Sequence, residues 1–353
     1  MSALLFFVVY AFVCARPIPE ETVLVKRWLS SLESERPVLI GEGAAPSDEG
    51  HIPFHYGERL GYIGSGGVFT YNAAQKGQAS ISADYRAEYD AQPESIDVFD
   101  PYGEPAMRIT RPEGYPFFAG GRVFIIGKNQ NDVSLLDSAG KREWTYTFSS
   151  PLTCADGANG YLLTGSLDGV AELLDAQGRA AMLPFEPGGS RLAVIVGCAL
   201  SHDASRIALI SGLEDQRFLL IDRSGGGAAR VVHHEFLSAG YRRPVRVLFS
   251  GNNESVVYER EGGLGVYHIK SRESAFIPLD EEIAALDASG KDGRIFIVTA
   301  GKDTQRTFIM VQMPQGITLE TRFRSRNVFL GRRGAGIYLG GDLAIASFAL
   351  EKI

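Results

Sequence analysis

The sequence contains few of the residues that mark small stapled folds or nucleic-acid binders. Only three of the 353 residues are cysteine and two are tryptophan. Disulfide scaffolds are rich in cysteine, so that class is excluded. Lys and Arg number 35 against 42 Asp and Glu, a net charge of -7, with no block of one sign. Nucleic-acid binders concentrate basic residues on one face, so we expect no nucleic-acid partner.

Long apolar runs are also missing, because the uncharged stretch at residues 2–15 is shorter than the about 20 residues that a membrane span needs. It fits the core of a signal peptide, and Arg16 and Pro17 follow it. Three fates stay open: cleavage after Ala15, retention as a single-pass anchor, or lipidation of Cys14. All three predict a protein of the bacterial cell envelope on the periplasmic face, secreted or membrane-anchored through this stretch.

Glycine, by contrast, is abundant. The chain has 41 glycines, which exceeds the average usage of about 7%. Hydrophobic residues make up 45% and charged residues 22% of the chain, which is ordinary for a folded protein. Many turn formers in such a composition predict short strands joined by tight loops, and therefore an all-β fold.

One short motif recurs along the chain, and "DVSLLDSAGKREW" is its clearest copy. Each copy is an alternating strand, a turn with Asp and then Gly, and a second strand. The Asp carboxylate can accept backbone N–H bonds two residues on, and Gly reaches positive φ without steric cost. The turn residues are Asp100 with Gly103, Asp137 with Gly140, Asp175 with Gly178, and Asp222 with Gly225.

The period of the motif predicts a β-propeller. The four Asp residues are 37, 38 and 47 residues apart, and looser copies follow near residues 269–271, at Gly316 and at the C-terminus. Two further strands precede each hairpin, so one unit is a four-stranded antiparallel blade of about 40 residues. We expect seven blades over residues 50–353, which pack into a monomeric ring.

The last unit has only three strands, so the ring needs a strand from elsewhere to avoid an open edge. We expect residues 36–43 to supply it. Residues 21–36 are predicted as a short helix or spacer, because Leu24, Trp28 and Leu32 are four residues apart. The predicted domains are therefore residues 1–15, a signal peptide or anchor; 16–49, a spacer helix and closing strand; and the propeller.

The segment with Asp137, Gly140, Lys141 and Trp144 resembles the A-x-D-x-x-T-G-K-x-x-W blade signature of quinoprotein-like propellers. That superfamily includes the pyrroloquinoline-quinone dehydrogenases and the BamB-type lipoprotein of outer-membrane assembly; WD40-like bacterial propellers are the neighbouring possibility. The resemblance implies that Trp144 docks between adjacent blades, a structural role. Met107 and Met182 stand at the Trp offset in other copies, so the match there is partial.

The sequence predicts no cofactor, no metal ion and no catalytic group. A quinone dehydrogenase of this fold would need a vicinal disulfide, and no two cysteines are adjacent. The six histidines include no H-E-x-x-H motif; His51 and His55 are four residues apart, but Pro53 argues against a helix that would align them. Cys154 and Cys198 occupy comparable places in successive units, where we expect free thiols because neighbouring blades would hold them beyond the about 7 Å Cα limit of a disulfide; a disulfide is the alternative.

The favoured hypothesis is a non-catalytic scaffold that presents loops to protein partners in the envelope. Tyr241, Arg242 and Arg243 in the loop of residues 235–244 have the character of interface anchors. One alternative is a small-ligand binder or a hydrolase-type enzyme that uses the central funnel. Another, by analogy with the BamB type, is assembly of outer-membrane proteins.

Overall fold

The described part of the chain consists of strands. This computed structural model describes residues 22–33, 38–39, 50–224, 229–237 and 240–352. Those residues form 31 strands, arranged as eight separate antiparallel sheets that follow one another around a central channel. The fold is therefore an all-β propeller whose blades have mostly four strands. No helix long and apolar enough to cross a membrane occurs among these residues, and residues 2–15 with Cys14 lie outside them.

Two strands precede the first blade, and four blades follow in chain order. These strands are β1 (Thr22–Ser31) and β2 (Val38–Leu39); β3 (His51–Tyr56), β4 (Arg59–Gly64) and β5 (Phe69–Ala74) in blade 1; β6 (Gln78–Ile81), β7 (Arg86–Tyr89), β8 (Ser95–Phe99) and β9 (Pro105–Thr110) in blade 2; β10 (Gly114–Ala119), β11 (Arg122–Gly127), β12 (Asp132–Leu136) and β13 (Arg142–Thr147) in blade 3; and β14 (Leu152–Ala158), β15 (Tyr161–Ser166) and β16 (Ala171–Leu174) in blade 4.

The other four blades complete the ring. Their strands are β17 (Ile195–Leu200), β18 (Arg206–Ser211), β19 (Arg217–Asp222) and β20 (Arg230–Phe236) in blade 5; β21 (Val247–Phe249), β22 (Ser255–Arg260), β23 (Gly263–His268) and β24 (Glu273–Pro278) in blade 6; β25 (Glu282–Asp287), β26 (Arg294–Ala300), β27 (Gln305–Gln312) and β28 (Gly316–Arg324) in blade 7; and β29 (Val328–Arg333), β30 (Gly336–Gly341) and β31 (Ala344–Lys352) in blade 8.

The predicted number of seven blades is wrong, because the ring has eight. The additional unit is blade 1, whose three strands occupy only residues 51–74. Its β3 runs antiparallel to β29: the Arg333 side chain at the end of β29 donates to the carbonyl of His51 at the start of β3. A segment this short, without the Asp and Gly hairpin, does not fit a period of about 40 residues. The prediction from the repeat therefore counted blades 1 and 2 as one unit.

The ring is closed by an N-terminal strand, but not by the segment expected. β1 pairs antiparallel with β31 from Thr22 opposite Lys352 to Ser31 opposite Ala344. Within residues 36–43 only Val38–Leu39 is described, and it pairs with the other edge of β1. The helix or spacer predicted for residues 21–36 is therefore a strand over Thr22–Ser31.

A β-bulge explains why the spacing of Leu24 and Trp28 was misleading. In a regular strand these residues would share one face, as they would in a helix. The register of β1 against β31 shifts between Lys26 and Trp28. Leu24 consequently packs against the hydrophobic cluster between blades 7 and 8, whereas Trp28 lies in the cluster between blades 8 and 1. The bulge thus allows one strand to contact both neighbouring blades.

Both tryptophans dock on a turn of the next blade. Trp28 Nε1 donates to the carbonyl of Ser65 at 2.7 Å, and a Cβ on Gly67 would lie only 2.7 Å from its ring. Trp144 Nε1, on β13, donates to the carbonyl of Ala176 at 3.0 Å, and its ring lies against Gly178 in the same way. Glycine is required at these two turns because any side chain would displace the indole.

Hydrophobic clusters fill most of the junctions between neighbouring blades. Within the described residues, seven of the eight junctions contain such a cluster. At the junction of blades 1 and 2, the guanidinium of Arg86 instead lies 3.5 Å over the Tyr71 ring and 4.6 Å over the Phe99 ring. Burial between sheets is thus the main source of cohesion, as expected for a propeller.

Replacement of the closing tryptophan should destabilise the ring more than replacement of its counterpart. Trp28 is 2% exposed, whereas Trp144 is only partly buried. We expect Trp28→Ala to lower the free energy of unfolding by about 3–5 kcal/mol and Trp144→Ala by about 2 kcal/mol. Urea denaturation followed by circular dichroism measures both values. Trp28→Phe, which keeps an aromatic ring but loses the bond to Ser65, should lie between wild type and Trp28→Ala; equal losses for the two alanine variants would contradict this assignment.

Candidate binding site at the lower channel mouth

The strands next to the channel in blades 4 to 7 end around a cavity of about 480 Å³. We call this end of the channel the lower mouth. Its walls are polar and apolar in nearly equal parts, and its polar groups come from the ends of strands and the turns that follow them. The residues on which the argument depends are Asp156, Cys198, Leu200, His202, Phe249 and Asp287.

Asp156 is the most deeply placed charge of the lower mouth. Its carboxylate accepts the backbone N–H of Gly157 at 2.9 Å and that of Leu200, in the neighbouring blade, at 2.8 Å. Burial raises the pKa of this carboxyl above its ordinary value, although the two N–H bonds and the field of His202 act in the opposite direction. Among the described residues no Lys or Arg forms an ion pair with Asp156, and a carboxylate desolvated in a cleft in this way has the environment of a functional group.

The rim of the lower mouth carries His202 and Asp287. His202 is exposed, and its Nδ1 lies 2.9 Å from Asn253 Oδ1, in the turn of blade 6. Because the amide oxygen accepts, the ring proton of neutral His202 lies on Nδ1. Asp287 is half-buried, and its Oδ1 accepts the N–H and hydroxyl of Ser289 in its own turn. The contacts of each rim residue fix its orientation.

This arrangement is suited to a cation with an apolar body. Two carboxylates, Asp156 and Asp287, project from blades 4 and 7, and apolar side chains such as Phe249 line the space between them. A Lys or Arg side chain, or a small organic cation, combines a charged head with an apolar stem. Within the part of the chain that the structure describes, no group of three or more His, Cys, Asp and Glu residues could hold a metal ion.

The turn residues predicted from the repeat lie in the outer hairpins of the blades, away from the lower mouth. In each of Asp100, Asp137 and Asp175, Oδ1 accepts the backbone N–H groups two and four residues on. The paired Gly103, Gly140 and Gly178 have positive φ of 91°, 77° and 76°. Asp222 accepts the N–H of Ser224, and Gly225 lies outside the described residues.

The expected partner loop lies at the other end of the channel, between β20 and β21. Two of its three expected anchors are engaged within the chain. Arg243 donates to the buried Glu259 at 2.7 Å and stacks over the Tyr241 ring at 4.2 Å. Tyr241 also packs against the hydrophobic cluster between blades 5 and 6. Arg242 is the exposed member of the three, so the loop offers a partner less than its composition suggests.

Sequence reasoning missed Asp156 and Asp287, although it noticed the polar turns in which they lie. Each residue lies on the strand of its own blade that lines the channel: Asp156 near the end of β14 and Asp287 at the end of β25. Superposition of the repeated units by these strands, rather than by their hairpins, would have placed both carboxylates at the same level of the channel. His202, two residues after the end of β17, would have followed.

The two cysteines, expected to lie apart, are in contact. Both are free thiols that belong to one hydrophobic cluster, and the Cys154 thiol contributes to the raised pKa of Cys198. The expectation assumed regular strands with side chains in equivalent directions. Instead, the register shifts between Leu152 and Cys154 in blade 4 and between Ile195 and Gly197 in blade 5. A bulge re-aims the side chains that follow it, and here one precedes each cysteine.

Comparison with known proteins supports the fold. A family model described as a beta-propeller protein matches residues 1–353. An uncharacterized protein of Treponema pallidum is 26% identical over 99% of this chain and 93% of its own length. The crystal structure of BamB from Moraxella catarrhalis covers 93% of this chain and 100% of its own, with a TM-score of 0.60 and 12% identity. The computationally designed Ika8 protein covers 87% and 98%, with a TM-score of 0.59 and 12% identity. The two solved structures share the fold alone.

Neutralisation of Asp156 should change how stability depends on pH. Because the pKa of Asp156 is raised in the folded protein, the folded state retains its proton at pH values where the unfolded chain has lost it. The contribution of Asp156 to stability therefore falls as the pH rises from about 4 towards neutrality. We expect the melting temperature of wild type, relative to Asp156→Asn, to decrease over this range. Differential scanning fluorimetry across pH measures the difference.

Glu143→Gln removes one carboxylate from an exposed position on β13 and serves as the matched control. A difference between wild type and Asp156→Asn that stayed constant with pH, or grew in favour of wild type as the pH rose, would contradict the desolvation of Asp156 at the lower mouth.

Proposed function

Because this chain belongs to a family of β-propeller proteins, we propose that it is a non-catalytic binding protein whose lower mouth receives a positively charged side chain of a protein partner. The observation that carries the proposal is Asp156, a carboxylate desolvated by burial and held by an N–H group of the next blade. Such a group costs stability in the free protein, and a cation beside it would offset that cost.

The geometry of the lower mouth supports binding by a rigid surface. Four blades contribute its residues, and each blade is fixed by sheet hydrogen bonds and by packing against its neighbours. A binding site on such a scaffold loses little conformational entropy when a ligand arrives. A Lys or Arg from a partner loop would place its charge between Asp156 and Asp287 and its stem against Phe249. The net charge of -7 would favour the approach of a basic partner.

We place this activity in the bacterial cell envelope, with the propeller on the periplasmic face and the protein as a monomer. The support is the uncharged run at residues 2–15, which is suited to export or anchoring. The likeness to BamB from Moraxella catarrhalis is compatible with binding of a protein partner, but it concerns the fold only. Assembly of outer-membrane proteins therefore rests on analogy alone, and no contact at the lower mouth favours it or a hydrolase-type reaction.

A small organic cation is the second candidate, and the cavity itself favours it. Its volume of about 480 Å³ lies within the range of small-molecule sites, about 300–1,000 Å³. An arginine amide or a short polyamine would use the same carboxylates as a partner side chain. The two candidates share one recognition chemistry and differ in whether a protein supplies the cation.

Substitution of both carboxylates should abolish partner capture. The full-length protein is tagged, cross-linked in its own envelope and isolated. We expect the wild-type protein to retain a specific partner. The amount of this partner should fall at least tenfold with the double variant Asp156→Asn/Asp287→Asn. Quantitative mass spectrometry measures the ratio, and the cross-linked peptides should include residues beside the lower mouth. Glu143→Gln, which removes a carboxylate from an outer strand, should retain the partner.

Titration with arginine amide and with spermidine separates the two candidates. The small cation would be supported if either molecule binds wild type at micromolar concentration, if the double variant loses this binding, and if no protein is cross-linked. Capture that is unchanged in the double variant, with no binding of either cation, would overturn both candidates.

A further inference from the structure

Cys154 and Cys198 form a pair across the junction of blades 4 and 5. Cys154 lies on β14 and Cys198 on β17, the two strands that line the channel there. Two hydrogen bonds between these strands bracket the pair. The Thr153 hydroxyl donates to the carbonyl of Ile195 at 2.5 Å, and the N–H of Leu200 donates to Asp156 at 2.8 Å. The strands are thus held together on both sides of the thiols.

The side chains of the pair meet at the same hydrophobic cluster. A Cβ on Gly165 would lie 2.7 Å from Cys154 Sγ and 2.5 Å from Ile195 Cγ2, so Cys154 Sγ lies close to blade 5. Cys198 is 9% exposed and belongs to the hydrophobic cluster of that junction, against which Cys154 also packs. The two thiols interact, since Cys154 contributes to the raised pKa of Cys198. A bond between them would therefore join two strands that are already in contact.

The two thiols differ in access. Cys154 is half-buried, whereas Cys198 is buried. The neighbouring Cys154 thiol, together with burial, raises the pKa of the Cys198 thiol well above its ordinary value. A thiol of this kind reacts slowly with reagents in solvent. Cys154 is consequently the thiol that an external oxidant meets first, and Cys198 is positioned to react with the product.

We propose that Cys154 and Cys198 are a reversible redox site that closes to a disulfide by exchange with a small-molecule disulfide such as oxidised glutathione, or with a thiol–disulfide oxidoreductase. The Cys154 thiolate attacks one sulfur of the oxidant, forms a mixed disulfide and releases the first thiol. Cys198 then loses its proton and attacks Cys154 Sγ, and the second thiol leaves. Two electrons and two protons pass from the pair to the oxidant, which is reduced to two thiols.

Closure would join blades 4 and 5 covalently beside the lower mouth. Cys154 and Asp156 lie two residues apart on β14, as do Cys198 and Leu200 on β17. The bond would therefore form next to the contact between Asp156 and Leu200. The site does not depend on the proposed cation binding, because its chemistry involves only the two thiols and an oxidant.

Intact-mass spectrometry tests the proposal on the full chain with Cys14→Ser, so that only the pair can react. The reduced protein is equilibrated with mixtures of oxidised and reduced glutathione, quenched with iodoacetamide and digested. We expect loss of two hydrogen atoms from the intact mass, loss of both alkylation sites, and one peptide pair linked through Cys154 and Cys198. The oxidised protein should melt several degrees above the reduced one, because the link closes a long loop.

Two matched variants test which of the two thiols reacts first with the oxidant. Cys198→Ala should stop at a mixed disulfide with glutathione on Cys154, whereas Cys154→Ala should react at least tenfold more slowly at Cys198. Stable glutathione adducts in the protein that retains both thiols, or two free thiols under fully oxidising glutathione, would overturn the proposal. Equal rates of adduct formation in the two variants would overturn the assigned order of attack.

Discussion

The pairing of β1 with β31 is the constraint on which the rest of the structure depends. A propeller is a ring of sheets, and each sheet is packed on both faces only when the ring is closed. Closure here joins residues from opposite ends of the chain: Arg27 and Glu351, 324 residues apart, form an ion pair across the two strands. Contacts so distant in sequence carry a large loop-closure cost, which the strand hydrogen bonds and the burial of Trp28 have to offset.

The lower mouth illustrates what a closed ring makes available. Asp156 belongs to blade 4, but its partner N–H belongs to Leu200 of blade 5, and Asp287 reaches the same cavity from blade 7. Such a constellation exists only while the angles between blades are fixed. The packing between sheets therefore stabilises the geometry of the site as well as the fold. A partly desolvated carboxylate can persist at the cavity because cohesion elsewhere compensates for its cost.

The sequence predicted the features that local chemistry determines. The hairpin turns of Asp100, Asp137 and Asp175 follow from side chains that bond their own backbone, and their period indicated blades. The number of blades was missed because blade 1 carries no such turn. The closing strand was missed because a spacing of four residues fits both a helix and a strand, and the bulge after Lys26 cannot be recognised from the pattern of Leu24 and Trp28.

The candidate site was hidden for a different reason. No motif contains Asp156, His202 and Asp287 together, since they lie in three different units and meet only around the channel. Tyr241 and Arg243 were predicted to contact a partner but contact residues of this chain. Aromatic and Arg side chains are suited to a partner surface and to an internal stack equally well. Only the position of Glu259 decides that Arg243 is used internally.

The junction of blades 1 and 2 differs from the other junctions in the kind of contact that holds the blades together. Arg86 is 6% exposed there and stacks on two aromatic rings, and its Nε has no hydrogen-bond partner within the described residues. A guanidinium between rings is held by electrostatic attraction and gains less from exclusion of water than aliphatic side chains do. Water can solvate it as the blades separate. The ring thus has a seam, at which local opening starts while the remaining blades keep their contacts.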